Sequence, residues 1–249
     1  MPLSIGSAQV GNATSFWRRQ NNSLHYHTPN WGGFKGMFTW SSSEERAGGA
    51  GAAAAASPRL WSLGATYING PLSVGAGYER HNDYNPAARV VGTAAGQYNG
   101  GTDTAWNISA AYTFAGIFRL GGVYERLSYD VAVGQNLDRN AWGLFGDWKI
   151  QGPHSLRLGY VRGNSAGGNA TGINVNSIAS PLTAAGAGQS GGANMWMIRY
   201  AYGFSKRTEV NLGYSQLNND TVGRYRIHAG TRNAGQDQRA WGVGLWHSF

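Results

Sequence analysis

The feature that most limits what this chain can fold into is a repeat of period two. In "RLWSLGATYING", Trp61, Leu63, Ala65 and Tyr67 alternate with Ser62, Gly64 and Thr66. In "PLSVGAGYER", Leu72, Val74, Ala76 and Tyr78 alternate with Ser73, Gly75, Gly77 and Glu79. "AWNISAAYTF" sets Trp106, Ile108, Ala110, Tyr112 and Phe114 against Asn107, Ser109, Ala111 and Thr113. Successive side chains of a strand point to opposite faces, so these are strands with one bulky face and one small, polar face.

The pattern runs through most of the chain. Leu24 and Tyr26 begin it, and Phe34, Phe38 and Trp40 follow opposite Lys35 and Thr39. Phe118, Leu120 and Tyr124 oppose Arg119, Gly121 and Glu125; Trp142, Leu144 and Trp148 oppose Gly143, Asp147 and Lys149. Leu156, Leu158 and Tyr160 oppose Arg157 and Gly159, and Trp196, Ile198, Tyr200, Tyr202 and Phe204 oppose Arg199, Ala201 and Gly203. Val210, Leu212 and Tyr214 oppose Glu209, Asn211 and Ser215. The last segment sets Trp241, Val243, Leu245, His247 and Phe249 against Ala240, Gly242, Gly244 and Ser248, with Trp246 the bulky exception. The expectation is an all-β chain of about eleven strands.

Their connections alternate in length. "PNWGG", "NGP", "FAG", "QGPH" and "GFSKR" are tight turns, rich in the Gly and Pro that turns need. "SSEERAGGAGAAAAASP", "RHNDYNPAARVVGTAAGQYNGGTD" and "NSAGGNATGINVNSIASPLTAAGAGQSGGAN" are long polar loops. This is the rhythm of an antiparallel meander whose functional loops lie at one end.

Composition decides which face meets water. Only 13% of residues are charged, against a usual share of about 25%. Ten Trp and 13 Tyr make a poor soluble surface. In a soluble sandwich the second face would be charged; here it is Gly, Ser, Thr and Asn with isolated charges. The bulky face carries aromatics at both ends and aliphatics between. At ~3.3 Å per residue these segments span roughly 20–26 Å before tilt, which matches the ~25 Å apolar belt and paired aromatic girdles of a transmembrane barrel. Bulky residues therefore face lipid and small ones line water. A secreted β-sandwich or β-helix is the alternative, and neither has a reason to place aromatics at both rims.

Other classes recede. No apolar run reaches the ~20 residues of a membrane helix, and Met1-Pro2-Leu3-Ser4 shows no signal peptide. The absence of Cys removes disulfides, thiolate metal sites and Cys nucleophiles. Net charge is +8, yet the basic residues are scattered singly, so no nucleic-acid partner is expected. Gly-x-Ser-x-Gly, His-Glu-x-x-His and phosphate-loop motifs are missing. His25 and His27 share a face without an evident third ligand, so neither metal nor cofactor is expected. His81, Asp83, Asp220 and His228 supply the residue types of a barrel hydrolase, but no spacing ties them together. The chain reads as a non-enzyme, with a non-conducting adhesive barrel or a barrel hydrolase as the alternatives.

"FWRRQNNSLHYHTPNWGGF" carries the pattern Arg-x-Asn-Asn-Ser-x-x-Tyr-x-x-Pro-Asn from Arg19 to Asn30. With "YINGPLSVGAGYE", "GVYERLSYD" and "VGLWHSF" it resembles the Gram-negative general diffusion porins of the betaproteobacterial type. That resemblance implies a trimer of sixteen-stranded transmembrane antiparallel β-barrels in the outer membrane. It also implies lipid and lipopolysaccharide around the barrel, the barrel-assembly machinery as partner, and passive diffusion of small hydrophilic solutes and ions. The chain looks like the family's last two-thirds: residues 1–18 as a remnant of the constriction-loop region or an extra strand, and 19–249 as barrel strands. Eleven strands are one short of the even number that closes a barrel, so a fragment of 11 or 12 strands is expected.

Within that reading the pore wall carries Arg19, Lys35, Arg119, Lys149, Arg157 and Arg199 against Glu79, Glu125, Asp147 and Glu209. Arg19 falls in a family motif; the rest follow from alternation. Six positive against four negative suggests a weak anion preference. Trp241, Val243, Leu245, His247 and Phe249 resemble the terminal signal read by the assembly machinery.

Overall fold

The computed structural model describes residue 16 and residues 22–42, 59–82, 101–132, 134–169, 190–227 and 233–249. Twelve strands form one antiparallel sheet: β1 (Ser23–His27), β2 (Phe34–Ser42), β3 (Arg59–Asn69), β4 (Leu72–Asn82), β5 (Thr102–Phe114), β6 (Phe118–Ala132), β7 (Gln135–Lys149), β8 (His154–Gly163), β9 (Gly167–Gly168), β10 (Ala193–Ser205), β11 (Thr208–Asn219) and β12 (Gln238–His247). Eleven lie side by side in chain order, a pure meander, while the two-residue β9 hangs off β7. The eleven expected strands are all present; β9 has no signal in the sequence.

The tight turns gather at one end because their residues meet unusual backbone demands. Between β3 and β4, Gly70 takes φ +54° as the first central residue of a two-residue loop, with Pro71 second, the geometry of a II′ hairpin. Between β5 and β6 both Ala115 (φ +48°) and Gly116 (φ +71°) are left-handed, and Ile117 N–H closes the turn on Phe114 C=O at 3.0 Å. Gly33, at φ +97°, lies against β3, where a Cβ would overlap the Ile68 carbonyl oxygen. At the opposite end the long connections prevail, with one exception. β6 and β7 run to 15 residues each and meet in a tight hairpin at Gly134.

Register puts the aromatic residues of the strand pattern on one face. Trp61–Tyr78, Trp106–Tyr124, Trp142–Tyr160, Trp196–Tyr214 and Tyr214–Trp241 are ring pairs with centroids 4.4–5.3 Å apart. Trp40 stands opposite Trp61 and Tyr78 opposite Trp106, so the belt crosses the sheet from β2 to β12. A second belt lies at the turn ends, with Tyr112, Phe114 and Phe118 in sequence and His154, Tyr200, Tyr202 and Phe204 in another group. Leu63, Ile108, Leu120, Leu144, Leu158, Ile198 and Leu212 fill the exposed band between them. These are the two girdles expected from the sequence.

The opposite face is concave, because a cavity of about 780 Å³ is lined from β3 round to β10 by its residues. It is not uniformly small. Its loop end holds a buried cluster of Val161, Ala193, Leu217 and Tyr225 with Val123, Met195 and Ile227 packed against it. Tyr225 and Ile227 come from the β11–β12 connection, whose residues 225–227 therefore fold back into the concave side.

Candidate pore wall

One row of Cα partners carries four of the expected charges. It runs Thr113, Arg119, Asp147, Arg157, Arg199, Gly213 from β5 to β11. Alternation places these residues on one face, and antiparallel register places them side by side. Arg157 Nε donates to Asp147 at 2.9 Å, and Arg199 pairs with Glu209, four residues along β11 from its Cα partner Gly213. Both pairs are a third to a half exposed, so each stabilises by about 0–1 kcal/mol and serves mainly to set side-chain direction. Arg119 donates to Ser73 Oγ at 2.8 Å and has no carboxylate in ion-pair range among the described residues. Asp147, the Cα partner of Arg119, is turned to Arg157 instead.

A parallel row two residues nearer the loops runs Ala111, Gly121, Phe145, Gly159, Met197, Ser215. Phe145 and Met197 lean together over Gly159, where a Cβ would stand 2.9 Å from Met197 Cγ and 3.4 Å from Phe145 Cδ1. With Ile68 and Val123 they line the same cavity as Arg119, Asp147 and Arg157. These apolar wall residues were not anticipated from the sequence. Carrying the alternation through every position would have found them, since Phe145 shares parity with Asp147 and Met197 with Arg199.

The remaining expected wall residues are more scattered. Lys35 lies on β2 opposite Thr66 and Lys149 on β7 opposite Ser155, both on the concave face and away from the row. Glu79 accepts from the buried His81 ring at 2.6 Å. Phe16, the sole described residue ahead of Asn22, stacks on His81 and Tyr129, with centroids 4.8 and 5.4 Å away. Glu125 lines the cavity three rows above Arg119. Arg19 lies outside the described residues. His25 and His27 make no ligand pair: both ring nitrogens of His25 are engaged, by Ser23 and Thr39 hydroxyls at 2.8 and 2.9 Å. Of the terminal residues, Trp241, Val243, Leu245 and His247 follow the outward parity on β12. Phe249 sits two residues beyond the end of β12, edge-on to His247 at 4.9 Å.

At the loop end the chain holds a cation that sequence reasoning missed. Arg139 is buried on the concave side with Nε and Nη2 lacking hydrogen-bond partners, and its guanidinium lies 5.1 Å from the Tyr225 ring centre. A cation over a ring face is favourable when both are desolvated. The loop that brings Tyr225 there is tied at two points. Asn219 accepts from Tyr225 N–H at 2.8 Å and donates to Gln236 C=O at 2.6 Å. Asp220 takes both terminal nitrogens of Arg162 and the Ser190 hydroxyl. The Arg162 hydrogen bonds hold the Asp220 carboxyl below the usual carboxylate range, and burial pushes the Tyr225 phenol up.

The two faces settle the class: a lipid-type exterior with girdles, and a concave face of mostly small residues with isolated charges. A model of the Gram-negative porin family matches residues 2–222. The chain belongs to the Gram-negative porin family. It is an outer-membrane protein built as an antiparallel β-barrel wall. Outer membrane porin protein 32 of Delftia acidovorans is 25% identical to this porin over 236 residues, 93% of the chain and 57% of the relative. Among solved structures, an anion-selective porin from Comamonas acidovorans superposes with a TM-score of 0.65 at 22% identity, over 92% of this chain and 60% of that one. OmpT, an outer membrane protein of Vibrio cholerae, gives a TM-score of 0.58 at 16% identity, over 90% and 63%. The porin therefore spans less than two thirds of the length of these relatives. Its outward face also carries a repeat not noticed in the sequence, Tyr78-Glu79-Arg80, Tyr124-Glu125-Arg126 and Tyr160-Val161-Arg162, which sets an arginine just above the girdle on β4, β6 and β8.

Proposed function

We propose that this porin wall encloses a water-filled channel for passive diffusion of small hydrophilic solutes and ions, with a weak preference for anions and no covalent chemistry. The observation that carries it is the Arg119–Asp147–Arg157–Arg199 row beside the cavity. Two of its arginines are matched by Asp147 and Glu209, which leaves Arg119, Lys35 and Lys149 against Glu79 and Glu125, a surplus of one positive charge among the described wall residues. Charge on a pore wall sets ion preference through the potential it leaves in the water, and the small surplus makes that preference weak. The Comamonas structure superposed above is itself described as anion-selective.

The channel is part of a trimer in the outer membrane, and the residues from Trp241 to Phe249 present its final strand to the barrel-assembly machinery. Arg80 and Arg126, with Arg239 on β12, face the phosphate layer of lipopolysaccharide, where guanidinium groups bind phosphate through paired donors. The buried cluster around Tyr225 favours, as a second reading, a barrel narrowed at its loop end. That reading predicts low conductance rather than none.

The test is reconstitution in planar bilayers under a potassium chloride gradient, with liposome swelling in neutral sugars alongside. Chloride should permeate more readily than potassium, and Arg119→Glu should move the reversal potential toward cations. Absence of both swelling and current from correctly inserted protein would refute the channel. Hydrolysis of phospholipid or peptide by the purified barrel would favour an enzyme.

A further inference from the structure

We infer that the concave face of β11 and β12 holds a sugar-binding platform, where the Trp246 indole stacks against one face of a neutral pyranose ring and Asn211 bonds its hydroxyl groups. This rests on the reading of that face as wet, and adds a solute class to the channel.

Trp246 breaks the rule its strand otherwise follows. The inward positions of β12 are Ala240, Gly242, Gly244 and Trp246, and the indole is 55% exposed. The aromatic girdles of a barrel stand on its lipid side, so an indole on the concave face cannot serve them. It has no ring contact among the described residues. The effect is one broad, flat, apolar surface set among glycines and facing water, with the indole N–H at its edge.

Register surrounds it with polar groups. Glu209 is the Cα partner of Trp246, and Asn211 that of Gly244. Cβ atoms of directly opposite residues lie about 4.5–5.5 Å apart and diagonal neighbours about 7–8 Å, so one sugar-sized ligand reaches all three side chains. The Asn211 amide lies over Gly244, where a Cβ would stand 2.9 Å from Oδ1 and 3.0 Å from Nδ2. Neither that amide nor the indole N–H has a hydrogen-bond partner among the described residues. A carboxamide both donates and accepts, as neighbouring hydroxyl groups require. Loopward of Asn211 the floor is bare. A Cβ on Gly242 would meet nothing within 4 Å, and one on Gly213 only carbonyl oxygens at 3.8 and 4.0 Å.

Charge selects a neutral ligand. Glu209 is paired with Arg199, so a cation over the indole would compete with a guanidinium and an anion would meet a carboxylate. A pyranose avoids both. Its axial C–H groups make a face that suits the negative face of an aromatic ring, and its rim hydroxyls bond the amide. An open-chain polyol has the rim without the face, and a plain hydrocarbon the face without the rim.

The probe is methyl β-D-glucopyranoside, with the full chain in phosphatidylcholine nanodiscs, where no glycoside detergent competes. Saturation-transfer NMR reads binding, and chloride conductance is recorded separately. Saturable binding is expected, with the axial protons of one ring face receiving more saturation than those of the other. Trp246→Ala and Asn211→Ala should each weaken it about fivefold or more, the loss of one stacking surface or one hydrogen-bonding group, and Trp246→Tyr should largely keep it. Sorbitol should compete poorly. Trp246 lies in the final strand, so Asn211→Ala carries the comparison if Trp246→Ala fails to assemble. Equal competition by sorbitol, saturation spread evenly over both ring faces, unchanged affinity in the assembled alanine variants, or no saturable binding to the folded protein would each overturn the platform. Binding without chloride current would instead refute the channel and leave the platform standing.

Discussion

Replacing Tyr225 by Ala should release the β11–β12 connection from the concave face. Tyr225 is 4% exposed and packs with Val161, Ala193 and Leu217. A buried aromatic hides roughly 150–250 Å², which at ~25 cal/mol per Å² is about 4–6 kcal/mol as an upper bound. Aromatic-to-Ala changes in cores cost about 3–5 kcal/mol. Part of that is recovered here, because Arg139, buried under the ring with two unpartnered nitrogens, would regain water worth ~1–2 kcal/mol. The net loss of docking energy is then about 1–4 kcal/mol, roughly a 5- to 1,000-fold rise in the undocked population. Hydrogen exchange reads this directly. The Tyr225 and Gly235 amides, bonded to Asn219 Oδ1 and Gly223 C=O, should lose protection by that factor while β10 amides keep theirs. Conductance should rise, since the segment leaves the channel mouth, and Tyr225→Phe should behave as the parent. Unchanged exchange and conductance in Tyr225→Ala would show that Asn219 and Asp220 alone hold the loop, and that burial of the ring contributes nothing.

The Asp220–Arg162 tie gives the same loop a pH dependence. Its carboxyl sits below its ordinary value of 3.8 in the folded state, so its contribution is full above that pH and declines as pH falls beneath it; Asp220→Asn should undock the loop at neutral pH and remove the acid dependence, read by exchange at Val222. Ala115→Gly should stabilise the barrel by about 0.5–1 kcal/mol in urea unfolding from micelles, since a left-handed Ala costs ~1–2 kcal/mol and the added unfolded-state freedom returns ~0.4–1 kcal/mol of that. Gly33→Ala has the opposite sign, at least about 2 kcal/mol destabilising, because φ +97° and the Ile68 carbonyl both exclude a methyl group; an unchanged unfolding midpoint would contradict the turn geometry.

Period two made the meander, the turn residues and both girdles legible, because a strand in lipid has a different solvent on each side and the side chains record it directly. The charged row was legible as a set of inward residues but not as a row. Which arginine stands beside which acid depends on register, and register is fixed by turn lengths and hydrogen bonds rather than by local composition. The apolar shelf was hidden by attention to small residues: Phe145 and Met197 sit between outward-facing Leu144, Trp196 and Ile198, where a short window reads as continuous apolar sequence. Tyr225 had no periodic signal at all. It lies in a loop whose place is decided by Asn219 and Asp220 reaching across to residues 190–192 and 236, contacts that only the assembled end of the barrel creates.

The edges set the condition under which any of this operates. Among the described residues β1 pairs only with β2 and β12 only with β11. On β12, Trp241, Val243 and Leu245 are 71–80% exposed, whereas Leu212 on the neighbouring strand is 50% exposed, the difference being a missing flank. Those residues belong to the apolar band, so the free edge lies at the depth of hydrocarbon. A ten-residue strand leaves about five N–H and five C=O groups on its open side, each costing several kcal/mol in lipid. The sum exceeds the ~5–15 kcal/mol that holds a typical fold together. An edge strand in water can be tolerated with charges or a bulge, but in a bilayer only another strand meets the demand. Pairing of β1 and β12, with each other or with further strands, is therefore a precondition for the membrane-embedded porin, and the charged row inside it can act as a pore wall only once that pairing has shut lipid out.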